Sequence, residues 1–372
     1  EAFKYFKLAI DHGIKEAMFH YACLLQNGDE SIVNKKEAAR YYKLSIDQGN
    51  VEAMVNYAIM LEHGEGIPAD KDEASRYYKI AIDKGNSSAM NKYALMVEND
   101  EDLFDDKKEE IVNYYKKAIG DGNPDAMYNY ANMLRKGHGV EVNKSEAVKL
   151  YNESIAKGHV LACNKFANML IKGDGIAPNK KKAIFYYKKA IEQNCTQSMV
   201  HYYKILLKEN DKDNNEESLK LIEKAADLGN VKAMNIYGRI LKEQKNKKYK
   251  EYFKKAAECG DVDSMYTYAS MLNDNEEAIL YYKKAADKGH VDAMFKYGLI
   301  MIKQNDSILN KNEEALIYLK RAADNGNESA YAPYADFLIQ LNDNEENRKE
   351  AIKYYKLAID AKDDEYAMNK YA

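Results

Sequence analysis

The chain has 372 residues, 46% of them hydrophobic, and its 56 basic and 60 acidic side chains leave a formal charge of −4. This near balance gives no reason to expect nucleic acid or an anionic membrane as a partner. No apolar run approaches the roughly 20 residues that a membrane-spanning helix needs, so membrane insertion is not expected.

Four cysteines, Cys23, Cys163, Cys195 and Cys259, are scattered along the chain without a Cys-x-x-Cys pair. Because no His lies at metal-ligand spacing from them, the sequence predicts neither a disulfide framework nor a zinc site. Scattered thiols favour a reducing compartment, and we expect a cytoplasmic protein. The chain begins with Glu1 rather than Met, so we expect it to be part of a longer protein.

One phrase recurs along the whole chain: Ala-x-x-Tyr-Tyr-Lys-x-Ala-Ile-Asp-x-Gly-Asn-x-x-Ala-Met-x-x-Tyr-Ala. Its glycine slot returns about every 36 residues, with two shorter intervals between residues 229 and 289. The eleven anchors leave no gap for a separate globular domain, so we predict one continuous array over residues 1–372. In chain order the slot holds Gly13, Gly49, Gly85, Gly122, Gly158, Asn194, Gly229, Gly260, Gly289, Gly326 and Lys362.

Each anchor predicts the end of one helix, a tight turn and the start of the next helix. Before the glycine, small and aromatic residues recur at helical spacing, as in Ala38, Tyr41, Tyr42 and Ser45. The glycine suits the left-handed position that closes a helix, and the Asn, Asp or His that follows suits a cap for the next one. We name the helix after the glycine helix A and the helix before it helix B.

Two further signals mark the connection from helix A to helix B. Three repeats carry Gly-x-Gly, at residues 64–66, 137–139 and 173–175. Helix B should then begin with an Asn or Asp cap that is followed three residues later by Glu. The predicted pairs are Asn34/Glu37, Asp70/Glu73, Asn143/Glu146, Asn214/Glu217, Asp274/Glu277 and Asn347/Glu350; Asn179 lacks the Glu.

These elements predict an all-α fold, a right-handed α-α superhelix (solenoid) of about ten to eleven helical hairpins with essentially no strand. It should begin with an unpaired helix B and end with an unpaired helix A. The short intervals 229–260 and 260–289 lack a Gly-x-Gly loop, so they predict shortened helices or tight connections and a local change in curvature.

The chain resembles the Sel1-like repeat family, relatives of the tetratricopeptide repeat. The shared features are Ala-x-x-x-Tyr-Ala in helix A, the Gly-x-Gly loop, Ala-x-x-Tyr-Tyr-x-x-Ala in helix B, and the closing glycine. The resemblance covers nearly the whole chain. It implies the fold predicted above and a scaffold or adaptor that binds other proteins or extended peptide segments.

Catalytic motifs are absent from the sequence: it has no P-loop, no GxSxG, no HExxH and no kinase motif, and the Gly-x-Gly turns lack the third glycine of a dinucleotide site. We therefore expect no enzyme activity and no cofactor. Two alternatives to a scaffold stay open. The array is then either the regulatory arm of a larger enzyme such as a protein kinase, or a structural component of a microtubule-associated assembly.

Most of the 32 tyrosines occupy three columns fixed by repeat position, two in helix B and one in helix A, which predicts that they are core residues. Six tyrosines escape these columns. Each is either a local packing repair or a surface anchor, since aromatic residues are enriched at interface hot spots. The six are Tyr128, Tyr203, Tyr249, Tyr266, Tyr331 and Tyr366.

By analogy with the tetratricopeptide solenoid, helix A should line a concave face. Positions three, six, ten and thirteen residues after the glycine are then predicted to face the groove, where Asn amides would pair with the main chain of an extended peptide. The candidate partner-binding residues are Asn91, Tyr128, Asn132, Arg135, Asn164, Asn168, Lys204, Arg239 and Tyr266.

Two charged segments interrupt the period, an acidic one at 98–110 and a lysine-rich one at 242–255. We interpret both as solvated loops or faces. The alternative is a docking patch, because segments of opposite sign can steer a partner or a second copy.

Overall fold

A computed structural model describes residues 2–14, 16–28, 32–209, 212–273, 275–303, 309–341, 344–362 and 365–371. Within them the chain forms twenty-two α-helices and no strand, which confirms the all-α prediction. The helices are α1 Ala2–Asp11, α2 Glu16–Asn27, α3 Lys35–Asp47, α4 Val51–His63, α5 Lys71–Asp83, α6 Ser87–Glu98, α7 Glu101–Gly120, α8 Pro124–Lys136, α9 Lys144–Ala156, α10 Val160–Lys172, α11 Lys180–Glu192, α12 Thr196–Glu209, α13 Lys212–Asp227, α14 Val231–Glu243, α15 Tyr249–Glu258, α16 Val262–Ala269, α17 Glu276–Asp287, α18 Val291–Lys303, α19 Leu309–Asp324, α20 Tyr331–Leu341, α21 Glu345–Lys362 and α22 Glu365–Tyr371.

The described helices form ten hairpins, from α2/α3 to α20/α21, with α1 as an unpaired helix B and α22 as an unpaired helix A. Even-numbered helices are therefore helix A, and odd-numbered helices are helix B. The chain divides into two compact units, unit 1 (Glu1–Cys195) and unit 2 (Thr196–Ala372). Within each unit, consecutive helices pack against each other.

The turn before each helix A from α2 to α20 has the predicted left-handed residue. All nine anchor glycines have φ between 79° and 95°, and Asn194 takes the same region with φ 58°. At a representative turn, the Gly49 N–H donates to the Ile46 carbonyl at 2.7 Å, and the Asn50 side chain accepts from the Ala53 N–H at 2.9 Å. Lys362 differs, because it is the last residue of α21.

Helix B caps are present where the first repeats predict them. The Asn34 side chain accepts from the Glu37 N–H at 3.1 Å, and Asn143 accepts from the Glu146 N–H at 3.0 Å. The N–H of Asn34 itself donates to the carbonyl of Leu25 near the end of α2, at 2.8 Å. The cap residue therefore closes the A–B loop as well as starting helix B. Asp70 and Asn179 cap their helices in the same way.

Three predicted caps are wrong or fall elsewhere. Asn214 and Asn347 lie inside α13 and α21, because both helices begin upstream of them. In α21 the cap is Asn344, which accepts from the Asn347 N–H at 2.8 Å. Asn275 caps α17 at 2.9 Å, and Asp274 lies outside the described residues. In α21 the upstream cap therefore starts the helix earlier than predicted.

Aromatic pairs join the two helices of a hairpin. The helix A tyrosine meets the first tyrosine of helix B edge to face, with ring centroids 4.7–5.6 Å apart and interplanar angles of 81–87°. This is a favoured geometry for ring quadrupoles. Among residues whose burial the structure describes, the column tyrosines are buried or partly buried, as predicted, except Tyr5, which is 66% exposed. The pairs are Tyr21/Tyr41, Tyr57/Tyr77, Tyr93/Tyr114, Tyr237/Tyr252, Tyr268/Tyr281, Tyr297/Tyr318 and Tyr334/Tyr354.

Between residues 229 and 289 the repeats are shorter than 36 residues because some of their helices are shorter. Helix α15 has 10 residues and α16 has 8, against 13 in α14. The predicted shortening is therefore present.

The acidic segment at 98–110 is largely helical rather than a loop, since α7 begins at Glu101 and has 20 residues. Phe104 anchors it: its ring is buried and stacks on His138, with centroids 4.1 Å apart. A Cβ at Gly139 would lie 2.5 Å from the Phe104 Cζ. The acidic helix α7 thus packs against the Gly-x-Gly loop of the next hairpin through Phe104.

The second glycine of the other Gly-x-Gly loops lies against the preceding helix B. A Cβ at Gly66 would lie 2.5 Å from the Lys35 Cβ and 2.7 Å from the Lys36 backbone nitrogen, in the first turn of α3. A Cβ at Gly49 would meet nothing within 4 Å. Both glycines have positive φ, so only the contact distinguishes them.

We predict that Gly66→Ala destabilises the protein more than Gly49→Ala. Each substitution incurs about 1–2 kcal/mol of left-handed strain. Gly66→Ala adds overpacking against backbone, which typically costs about 1–3 kcal/mol. Urea unfolding followed by circular dichroism measures the difference, and equal losses for the two variants would contradict the contact.

Candidate partner-binding surface

The second tyrosine of helix B brings a hydroxyl to the surface of helix A. Tyr151 and Tyr187 are buried, and each donates at 2.8–2.9 Å to an amide oxygen of the same hairpin, that of Asn132 and Asn168 respectively. Burial raises the pKa of the Tyr151 hydroxyl to about 12, so it stays a donor at neutral pH. The same bond recurs in Tyr42–Gln26, Tyr78–Glu62, Tyr115–Glu98 and Tyr355–Asp336.

Asn132 and Asn168 also use their amide nitrogens within the chain. Asn132 Nδ2 donates to the Tyr128 carbonyl at 3.0 Å, and Asn168 Nδ2 donates to the Asn164 carbonyl at 2.9 Å. Both side chains are partly exposed. They lie on the helix A surface, and their amide nitrogens already donate within the chain.

Asn91 and Asn164 lie elsewhere, because each is only 2% exposed. Asn129 Nδ2 on α8 donates to Asn91 Oδ1 on α6 at 2.9 Å. In unit 2, the equivalent Asn235 donates to Ser264 Oγ at 2.7 Å. The position six residues after the glycine therefore lies between successive A helices. Its burial depends on the neighbouring repeat, so the pattern of one hairpin does not predict it.

Tyr128 and Tyr266, the two off-column tyrosines at this position, are partly buried against histidines. Tyr128 stacks on His159 with ring centroids 4.6 Å apart, and Tyr266 stacks on His290 at 4.5 Å. Each histidine directly follows an anchor glycine and caps the next helix A. The His159 Nδ1 accepts from the Ala162 N–H at 3.0 Å.

An aspartate lies beside the histidine of each stacked pair. His159 Nε2 lies 3.1 Å from Asp125 Oδ1, and His290 Nε2 lies 3.9 Å from Asp263 Oδ1. Because Nδ1 accepts the capping bond, the neutral ring carries its hydrogen on Nε2 and donates it towards Asp125. This hydrogen bond holds the pKa of Asp125 below its usual range.

The sequence contains a signal for this arrangement outside the three tyrosine columns. A histidine in place of asparagine after the glycine coincides with a tyrosine six residues after the preceding glycine, at His159 with Tyr128 and at His290 with Tyr266. Both tyrosines therefore have a local packing role, while part of each ring stays exposed.

The predicted cations differ in their surroundings. Arg135 Nη1 pairs with Asp174 Oδ2 at 3.0 Å, and Lys144 Nζ pairs with the other oxygen of Asp174 at 2.6 Å. Asp174 is the central residue of the Gly-x-Gly loop of the next hairpin. In unit 2, Arg239 is exposed and 3.7 Å from Asp263, and Lys204 is exposed.

Lys165 on α10 is a cation that the predicted columns omit, because it lies seven residues after its glycine. It is partly buried and, among the described residues, makes no hydrogen bond or ion pair. Burial and then repulsion by Arg135, Lys136 and Lys172 lower the pKa of its ammonium group.

In the described part of the chain, no group of three or more His, Cys, Asp or Glu side chains is placed to hold a metal ion. No described helix combines the length and apolar character needed to cross a bilayer.

A sequence model of the Sel1 repeat matches residues 1–14, 15–50, 51–86, 124–159, 160–195, 211–230, 250–261, 265–290, 291–327 and 344–363. The fold is similar to that of a protective antigen of uropathogenic Escherichia coli strains that displays an SLR fold. The TM-score is 0.55 at 20% identity, over 99% of this chain and 81% of the other. A Sel1 repeat protein from Oxalobacter formigenes gives 0.50 at 24% identity, over 57% of this chain and 86% of that one. No curated protein matches the sequence.

We predict that Asp174→Asn lowers the melting temperature at pH 7 by about 2–4 °C. Hydrogen bonds from Lys144 and then Arg135 hold the pKa of Asp174 below its usual value. The stabilisation is therefore complete above the unfolded pKa of about 3.9 and is lost as pH falls through the lower folded pKa. Thermal unfolding of both proteins should converge below about pH 4. The exposed Asp106→Asn serves as control, and a difference that grows on acidification would contradict the ion pair.

Proposed function

Because the chain belongs to the Sel1 repeat family, we propose that it is a non-catalytic scaffold that binds an extended segment of a partner protein along the helix A surface. Solenoids of this kind present extended binding surfaces built from one element per repeat. In unit 1 that surface is formed by α2, α4, α6, α8 and α10.

The observation that carries this proposal is the regular series of tyrosine hydroxyls and their acceptors. Each hairpin of unit 1 from α2/α3 to α10/α11 places one such pair on helix A. A partner in extended conformation offers polar main-chain groups at a regular interval, so a periodic polar surface suits it. Each buried hydroxyl is fixed in place, which reduces the ordering cost of binding.

The proposed contacts in unit 1 are the partly exposed Tyr128, Asn132, Arg135 and Asn168. In unit 2 they are the exposed Lys204 and Arg239 and the partly exposed Tyr266. Asn91 and Asn164 are assigned a different role. Their burial between A helices suits holding successive repeats in register.

Site-specific photo-cross-linking tests the face. A photoreactive amino acid replaces Leu161, an exposed residue three positions after the glycine on α10, or Lys116, an exposed residue on α7. Neither residue belongs to the proposed contact set, so both variants keep that set intact. We expect a discrete cross-linked partner in native cell extract from position 161 and none from position 116. Equal or stronger cross-linking from position 116 would place the partner on helix B and overturn the proposal.

A further inference from the structure

Four cations lie on two successive A helices of unit 1, near enough for three of them to repel the fourth, Lys165. Arg135 and Lys136 end α8, while Lys165 and Lys172 lie on α10. Lys136 and Lys172 occupy the last positions of their helices, where the helix dipole favours a positive charge. Lys165 lies in the middle of α10, so the dipole does not account for it.

Equivalence between repeats places Lys165 beside the polar surface described above. Asn56, seven residues after its own glycine, occupies the same position in α4, and its Nδ2 donates to the Tyr42 hydroxyl at 3.3 Å. The counterpart of Tyr42 in the repeat of Lys165 is Tyr151, whose hydroxyl is bound to Asn132. Lys165 therefore occupies the helix position next to the hydroxyl–amide pair of the α8/α9 hairpin.

The carboxylate next to this cluster is already shared. Asp174 binds Lys144 at 2.6 Å and Arg135 at 3.0 Å. Among the described residues, Lys136, Lys165 and Lys172 have no ion pair. A partly buried cation that faces other cations is unfavourable unless an anion joins it.

The charges on the neighbouring A helices favour one class of anionic partner over another. The two preceding A helices, α4 and α6, each carry a carboxylate: Glu62 and Glu98 accept from Tyr78 and Tyr115 at 2.8–2.9 Å. A nucleic acid carries a negative charge at every nucleotide and would meet these carboxylates when lying along the surface. A peptide can carry acidic residues at one end only, so it fits a surface that has the carboxylates of Glu62 and Glu98 on α4 and α6 and the cation cluster on α8 and α10.

We infer that the partner segment is acidic, and that one of its carboxylates binds between Lys165 and Arg135. This inference rests on the proposed function and specifies its partner. Asp174 already binds Arg135 and Lys144 through its two oxygens, and the partner carboxylate forms the corresponding pair with Lys165. Charge-assisted hydrogen bonds of this kind are among the stronger polar contacts in proteins.

Fluorescence anisotropy tests this inference with a labelled acidic peptide, which has Glu-Ser repeats at one end and Gln-Ser repeats at the other. A peptide of Gln-Ser repeats throughout is the neutral probe. We expect the acidic peptide to bind about tenfold more tightly than the neutral one, and Lys165→Gln to weaken it about tenfold. Lys181→Gln, at an exposed lysine on α11, is the matched control and should change binding less than about twofold. The melting temperature of Lys165→Gln should stay unchanged or rise, because a repelled, partly buried charge is removed.

Several results would overturn the inference. Equal losses for Lys165→Gln and Lys181→Gln would show diffuse attraction rather than a site. Tighter binding of a labelled oligo(dT) than of the acidic peptide would assign the cluster to nucleic acid. A fall in the melting temperature of Lys165→Gln would show that Lys165 serves a contact within the chain. Cross-linking from position 161 without binding of the acidic peptide would leave the proposed function standing and remove only the acidic partner.

Discussion

In several repeats the asparagine or histidine that follows the turn glycine joins two hairpins, and the arrangement of the A helices depends on it. Its acceptor caps its own helix A, while its donor reaches the first turn of the preceding helix A. Asn86 accepts from the Ala89 N–H at 2.8 Å and donates to Glu52 at 2.8 Å. Asparagine suits both tasks because its amide has a donor and an acceptor on one short side chain. Neutral histidine has the same two functions, and it replaces asparagine at His159 and His290.

This hydrogen bond between repeats holds successive A helices close together. The short distance between the helices determines which polar side chains are buried and which stay exposed. Six residues after the glycine, Asn91 is buried and binds the neighbouring helix. Ten or thirteen residues after it, side chains accept from tyrosine hydroxyls of helix B. Lys165 meets neither an acceptor nor a carboxylate in the described structure. The surface available to a partner is therefore what remains after the repeats have bound each other.

The helices and turns were predictable because their signals are local. A glycine with the residues around it specifies a left-handed turn and a cap, and the phrase recurs often enough to predict ten hairpins. The burial of Asn164 was not predictable in this way, since it depends on a helix from another repeat. The stacking of Tyr128 on His159 and the cations around Lys165 also join residues of different repeats. The start of α21 is shifted for another reason, because Asn344 caps the helix upstream of the predicted cap.

Amide hydrogen exchange of the chain with and without its cross-linked partner tests the central claim most directly. Binding on the helix A surface should slow exchange in peptides covering α8 (Pro124–Lys136) and α10 (Val160–Lys172) and leave α9 and α11 unchanged. Slower exchange confined to α9 and α11 would place the partner on the opposite face and contradict the account.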